Sequence, residues 1–447
     1  LSSMVHDKKR WVAGLISGIT VCAMIAAGFL VFGHAAAAGG PPVLNIDDSN
    51  LQAQSLALGG ADALPTTRTI PHFHGTAVNP NDGINYGFNM VGADPNNCSG
   101  ADCSVTIEAD ITPIIVNFGG QTFSGEDVLG PTLASPVFAT NDYGTTPFAT
   151  NGDALLTRGA GGALSQGDAG IPLQFEDANM RAQFNKTGAD SNYHLILHPN
   201  IMPTVTFNVP DNQGVFLVSG RGVVFPDINI QWWSAQLANL VVQSDPTHLP
   251  IFLTNGVMLF TGGNPQNCCV FGFHGTKAVG QGIFHGGAGT SSNGNDVVQT
   301  FVWTSWATPG IFARPNGGRD WALQDISGLT HEISEWADDP YILNLVQPWT
   351  TGGLPCQNNL ETGDPVVAVG FAMSQTNTFD QGPNPNGTQS ADGYYHPEDQ
   401  AFLPWFMRTT PNTISEPTQV ASTNVGRYTF MGSLNQFPDF THGAPTC

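Results

Sequence analysis

The stretch Leu329-Thr-His-Glu-Ile-Ser-Glu-Trp-Ala-Asp-Asp-Pro340 decides how this sequence is interpreted. It places His331 and Glu335 four residues apart, with Glu332 directly after the histidine. Residues four apart lie on one face of a helix, so the side chains of His331 and Glu335 can reach the same cation. The spacing therefore predicts a metal-binding helix.

The residues around the motif support a helix. Apolar side chains recur every three or four positions from Ala322 to Trp336, Asp320 offers an N-cap, and Pro340 ends the pattern. The metal-binding pair projects away from the apolar stripe. We therefore expect it to face a cleft rather than the core.

Imidazole and carboxylate are both good zinc ligands, and a glutamate beside the first histidine can take a proton from water. The sequence thus predicts zinc bound by His331 and Glu335, with Glu332 as general base. The second ligand is a glutamate where zinc peptidases commonly have histidine. This extra negative charge leaves Ca²⁺ or Mn²⁺ as alternatives.

A third ligand must come from another part of the chain. Glu361 and Asp364 lie in a turn-rich segment after Cys356 and are the first candidates, although either could be an ordinary surface or turn residue. Histidines are the other candidates, namely His274, His396, and the pair His72 and His74. His72 and His74 alternate and would share one face of a strand, which suits a second metal site.

The N-terminal residues 1–38 have the pattern of a secretory signal peptide. Basic residues precede an apolar run from Trp11 to Phe32, and small residues follow up to Ala38. An uncleaved membrane anchor is the alternative. We expect a secreted protein, extracellular or periplasmic, that contacts a membrane only if the signal is retained.

Composition narrows the range of partners. The formal net charge is -22, and Lys186 and Lys277 are the only lysines after the signal. Nucleic acid and anionic lipid are therefore unfavourable partners. The sequence has neither a Gly-rich phosphate loop nor a Gly-x-Ser-x-Gly motif, which argues against nucleotide binding and serine hydrolysis.

Six cysteines follow the signal, an even number that favours disulfides in an oxidising compartment. Cys98 and Cys103 flank a short loop and are expected to pair with each other. The pairing of the other four stays open. These are Cys268, Cys269, Cys356 and Cys447.

The remaining sequence divides into three parts. Residues 39–66 have a linker composition, residues 67–213 contain short β-rich runs, and residues 214–447 alternate strands with helices. The last two parts could form one domain. We predict an α+β fold in which a β-rich N-terminal half precedes a zincin-like mixed sheet, with a backing helix and an active-site helix.

Three segments also carry a family resemblance. They are residues 268–275 (CCVFGFHG), residues 330–340 (THEISEWADDP) and residues 356–364 (CQNNLETGD). Together they resemble a group of uncharacterised secreted bacterial proteins and are similar to the plant EXORDIUM (phosphate-induced) cell-wall family. The resemblance implies a secreted protein with a zincin-like core but supplies no substrate.

The sequence therefore predicts a secreted zinc metallopeptidase that acts on a peptide or protein substrate. Two alternatives remain. The first is a non-catalytic cell-envelope, structural or carbohydrate-binding protein with a degenerate metal site. The second is a metal-free acid hydrolase that uses the paired carboxylates of Asp338 and Asp339.

Overall fold

The structure is a computed structural model. It describes residues 43–45, 54–55, 68–98, 103–142, 172–184, 186, 191–220, 222–278, 297–312, 323–351, 356–367, 369–370, 373–383, 390–409, 428–430 and 443–447. The expected signal peptide, residues 1–38, lies outside the described residues. Among the helices of the described part, none combines the length and the apolar character that crossing a membrane requires.

The strands are β1 (Val43–Asn45), β2 (Gln54–Ser55), β3 (His72–Val78), β4 (Asn85–Val91), β5 (Cys103–Phe118), β6 (Gln121–Ser124), β7 (Asn141–Asp142), β8 (Pro172–Leu173), β9 (Tyr193–Ile201), β10 (Val205–Asn208), β11 (Gly214–Val218), β12 (Val224–Asn229), β13 (Leu249–Asn255), β14 (Met258–Phe260), β15 (Val270–Ala278), β16 (Val298–Trp306), β17 (Leu345–Trp349), β18 (Gln357–Asn359), β19 (Met373–Pro383) and β20 (Ser390–Tyr395). The α-helices are α1 (Glu126–Ala134), α2 (Phe175–Gln183), α3 (Ile230–Val241), α4 (Ser327–Asp338) and α5 (Leu403–Phe406).

Twelve strands form one mixed sheet, in the order β1-β11-β12-β14-β15-β16-β13-β5-β10. β2 pairs with β15, and β6 and β9 pair with β5. The sheet therefore takes strands from both residues 67–213 and residues 214–447. Two short strands of the expected linker, β1 and β2, also join it, so the linker is not wholly irregular.

Helices α3 and α4 lie on opposite faces of this sheet, as the alternating side chains of β16 show. Side chains alternate between the two faces of a strand. Phe301 and Trp303 of β16 pack in the cluster that contains Trp233 and Leu237 of α3. Val302, between them, packs in the cluster that contains α4. The mixed α+β class predicted from the sequence is confirmed.

Most predicted elements of residues 214–447 are found with small shifts at their ends. The apolar periodicity from Gln231 to Gln243 predicts a helix, which agrees with α3, and the apolar runs at 249–254, 257–260 and 298–306 predict strands, which are found as β13, β14 and β16. β15 pairs with both β14 and β16, so it lies inside the sheet. In the zincin-type arrangement, by contrast, an extended substrate binds to a strand at the edge of the sheet.

The start of α4 differs from the prediction. Asp320, the predicted N-cap, lies outside the described residues, and the helix begins at Ser327 with Ile326 before it. The reason is a backbone pairing between Asp325 and Ala307, with N–O distances of 2.7 and 3.1 Å. Asp325 also has φ 44, which is outside the helical region. The chain therefore turns into the helix directly after the paired residue Asp325.

Three disulfides link the six cysteines. The predicted Cys98–Cys103 pair is confirmed. Cys268 pairs with its neighbour Cys269, and Cys356 pairs with Cys447. Three disulfides are consistent with an oxidising compartment.

Candidate metal centre

α4 is buried along its whole length, so its polar side chains must find partners inside the protein. It packs against β15 and β16. Close approach to β15 depends on Gly328, where an added Cβ would lie 2.6 Å from a ring carbon of Phe271. The helix therefore presents its polar side chains directly to the segment around His274.

The predicted ligands on α4 meet Asp364. His331 Nε2 lies 3.0 Å from Glu335 Oε1 and 3.9 Å from Asp364 Oδ1. Zinc bonds of about 2.0–2.2 Å place neighbouring ligand atoms roughly 3.3–3.6 Å apart in a tetrahedron. The three side chains thus stand close to the spacing that one cation requires, and each is less than a tenth exposed.

The imidazole of His331 is held by a carboxylate on its other side. His331 Nδ1 lies 2.7 Å from Glu398 Oε1, and the backbone N–H of Glu398 donates to Thr330 Oγ1 of α4 at 2.9 Å. His331 Nε2 has no hydrogen-bond partner among the described residues. A metal-ligating histidine has a carboxylate on one ring nitrogen and directs the other nitrogen at the metal, and Nε2 of His331 is directed at Glu335 and Asp364.

Glu335 is positioned by the segment that carries Asp364. The backbone N–H groups of Gly363 and Asp364 both donate to Glu335 Oε1 at 3.2 Å. Asp364 also begins a short 3-10 helix, Asp364–Val366. The turn that supplies the third candidate ligand therefore also fixes the orientation of the second.

A second group of candidate ligands lies on the other side of Glu335. His274 Nδ1 is 3.6 Å from Glu335 Oε2 and 3.4 Å from Glu332 Oε2, while His274 Nε2 is 3.9 Å from Glu361 Oε2. His274 and Glu361 are fully buried. The structure therefore brings together all five residues predicted for the metal site and its base, and adds His274 to them.

Burial makes this cluster electrostatically unusual. It raises the pKa of Asp364 to about 8 and that of Glu398 to about 7, although the nearby His331 lowers both pKa values. Burial lowers the pKa of His331, but Glu335 and Glu398 outweigh it and hold that pKa well above its ordinary value. A cation bound here must therefore displace a proton from His331, so its affinity should rise with pH.

A cation fits the chemistry of the donors present. Within the described residues, the ion-pair partners of the cluster carboxylates are histidines rather than lysine or arginine. Both oxygens of Glu361 lack a hydrogen-bond donor there. Buried carboxylates without such partners are unfavourable unless they are protonated or coordinate a metal.

The expectation that His331 and Glu335 face a cleft is wrong. Their face of α4 is covered by Glu361, Asp364 and Glu398, which come from segments later in the chain. The helical pattern identified the polar face correctly. It could not identify what packs against that face.

The other histidine predictions do not lead to a metal group. His72 Nδ1 lies 2.9 Å from the hydroxyl of Tyr341, and His74 Nδ1 lies 3.2 Å from Asn89 Oδ1. His396 Nδ1 lies 2.7 Å from Asp325 Oδ2. Among the residues described, no group of three potential ligands includes any of these histidines, so the predicted second site at His72 and His74 is not formed.

The paired carboxylates after the motif are occupied by structural contacts. Gln183 Nε2 donates to Asp338 Oδ1 at 2.7 Å. Asp339 accepts the backbone N–H groups of Leu343 and Asn344 at 2.8 and 3.1 Å. These bonds fix the chain after α4, which argues against a separate acid-hydrolase pair.

Sequence reasoning missed Glu398 and two glycines. Glu398 begins an aromatic-rich segment, residues 398–407, whose composition indicates core packing and not a metal site. An added Cβ at Gly363 would lie 2.4 Å from His331 Nδ1, and one at Gly272 would lie 2.6 Å from Glu332 Cγ. Gly363 follows the candidate ligand Glu361 by two residues. This closeness in sequence was the one signal that Gly363 could lie at the site.

Gly363→Ala is expected to weaken zinc binding about 10- to 100-fold, as loss of an outer-shell contact typically does. Gly363 has φ -80, which alanine adopts readily, so the effect comes from displacing the His331 ring. Isothermal titration with zinc measures it. Gly130→Ala is the matched control, because a Cβ there meets nothing within 4 Å. Equal affinities of the two variants would contradict the prediction.

No protein-family model, curated protein or solved structure matches the chain. The resemblance to the EXORDIUM family therefore stays a prediction.

Proposed function

We propose that this protein is a secreted zinc-dependent hydrolase of peptide bonds, with His331, Glu335 and Asp364 as the metal ligands. One observation carries the proposal. His331 Nδ1 lies 2.7 Å from Glu398, and its Nε2 points towards two carboxylates, Glu335 at 3.0 Å and Asp364 at 3.9 Å. This is the donor set of a catalytic zinc site, which uses three protein ligands.

The metal held by α4 and the Glu332 side chain would have separate roles in the reaction. A zinc ion at this site supplies Lewis acidity towards a carbonyl and makes water easier to deprotonate. The Glu332 carboxylate accepts the proton. Burial raises the pKa of Glu332 while His274 and His331 lower it, and the net increase brings a general base closer to neutral pH.

The architecture around α4 supports the same proposal. A backing helix, α3, precedes β13 to β16, and α4 follows them on the opposite face of the sheet. This order of elements resembles that of zincin-type peptidases, but β15, the strand beside α4, lies inside the sheet and not at its edge. Ca²⁺ or Mn²⁺ would suit the carboxylate-rich site as alternatives to zinc.

A second function is favoured by the depth of the site. His331 is 3% exposed and Asp364 is 7% exposed, whereas catalysis requires substrate to reach the metal. A non-catalytic cell-envelope, structural or carbohydrate-binding protein would need no such access. In that case the metal would contribute stability only.

Metal analysis tests the site. We expect at least one zinc ion per chain after zinc is supplied at neutral pH, and one ion fewer in His331→Ala. Inductively coupled plasma mass spectrometry gives the content. His194→Ala is the control, because His194 also pairs with a carboxylate, Asp177 at 2.8 Å, outside the cluster. Wild-type protein without zinc would contradict the zinc hydrolase and favour the non-catalytic protein.

A further inference from the structure

The donor set around His274 is as complete as the one around His331. Its potential ligands are His274, Glu335 and Glu361, whose ligand atoms lie within 4.8 Å of one another, as in the first set. His274 Nε2 and both oxygens of Glu361 have no hydrogen-bond partner among the described residues. These atoms are fully buried and face each other at 3.9 Å.

We propose that the cluster binds two divalent cations that share Glu335. Oε1 of Glu335 lies 3.0 Å from Nε2 of His331, and Oε2 lies on the other side, 3.6 Å from Nδ1 of His274. A carboxylate whose two oxygens face different donor sets is a bridging ligand. The inference rests on the proposed metal site at His331 and adds a second site beside it.

The two histidines are held in the same way, which supports two sites of the same kind. Glu398 lies on Nδ1 of His331 at 2.7 Å, and Glu332 lies on Nδ1 of His274 at 3.4 Å. In both rings Nε2 is unpartnered. Each imidazole thus has an orienting carboxylate on one nitrogen and a free nitrogen for a metal.

Charge also favours two cations. Five buried carboxylates surround the two histidines, namely Glu332, Glu335, Glu361, Asp364 and Glu398. When all five carboxylates are ionised and both histidines are neutral, one divalent cation leaves three negative charges unbalanced, and two cations leave one. Two-metal hydrolytic sites place their ions about 3.5–4 Å apart, a separation that one carboxylate spans.

Metal stoichiometry of the full chain tests the proposal. We expect about two Mn²⁺ or Zn²⁺ per chain for wild type and about one for His274→Ala and for Glu361→Gln. Glu361→Gln keeps the shape of the side chain, so it distinguishes metal loss from misfolding. His248→Ala should keep two ions, because its histidine–carboxylate pair with Asp110, at 2.9 Å, lies outside the cluster.

Electron paramagnetic resonance of the Mn²⁺-loaded protein provides a second measurement. Two ions that share a carboxylate are spin-coupled, whereas the His274→Ala variant should give the six-line spectrum of an isolated ion. One ion in wild type, unchanged in His274→Ala, would overturn the two-cation inference and leave the proposed function intact. No ion in wild type would overturn both.

Discussion

Glu332→Gln is expected to lower the rate of peptide hydrolysis about 10²- to 10⁴-fold while zinc stays bound at His331. Glutamine has the shape of glutamate but accepts no proton, so it removes the base and little else. Its side-chain oxygen can still accept from His274 Nδ1, which lies 3.4 Å from Glu332 Oε2. The tight space beside Gly272 also accommodates the isosteric side chain.

The measurement is kcat/KM on a quenched fluorescent peptide library, with zinc content and melting temperature determined on the same samples. Glu108→Gln is the matched control. Glu108 also has a histidine partner, His198 at 2.9 Å, but it lies at the surface. Hydrolysis that is unchanged in Glu332→Gln would reject this glutamate as the base. Zinc-loaded wild type without any hydrolysis would favour the non-catalytic binding protein.

The features that the sequence predicted correctly are local ones. The spacing of His331 and Glu335 requires only helical geometry, which four consecutive residues already define. The strands at 249–254 and 298–306 were identified because a short apolar run between turn residues is itself a local signal. The turn after Cys356 was predicted to return to the metal, and the structure brings both Glu361 and Asp364 to the cluster.

The features that the sequence did not predict depend on contacts between segments far apart in the chain. Glu398 is 67 residues from His331 in the chain, and nothing in its own segment distinguishes a metal-site carboxylate from a surface one. His72 and His74 show the opposite error. Both lie on one strand, but their Nδ1 atoms contact Tyr341 and Asn89, and no group of potential ligands among the described residues includes them. The sequence pattern alone does not reveal which side chain contacts a given histidine in the folded protein.

Loss of the Cys356–Cys447 disulfide is expected to lower the free energy of unfolding by about 4–5 kcal/mol. The bond closes a loop across a sequence separation of 91 residues, and the entropy that a crosslink removes from the unfolded chain grows with loop length. Cys356→Ser with Cys447→Ser, unfolded in guanidinium chloride, measures the change.

The same variant should also weaken zinc binding, because Cys356 lies directly before β18 and the turn that carries Glu361 and Asp364. The crosslinked C-terminus packs beside β17, where Thr350 donates its backbone N–H to Pro445 at 3.2 Å.

The control for both effects is removal of the Cys98–Cys103 bond. It spans a sequence separation of only 5 residues, so its loss should cost about 2 kcal/mol and leave zinc affinity unchanged. If the two variants lost equal stability, loop entropy would not be the cause. If zinc affinity survived the loss of Cys356–Cys447, the turn would be held by α4 alone, through the N–H groups that Gly363 and Asp364 donate to Glu335.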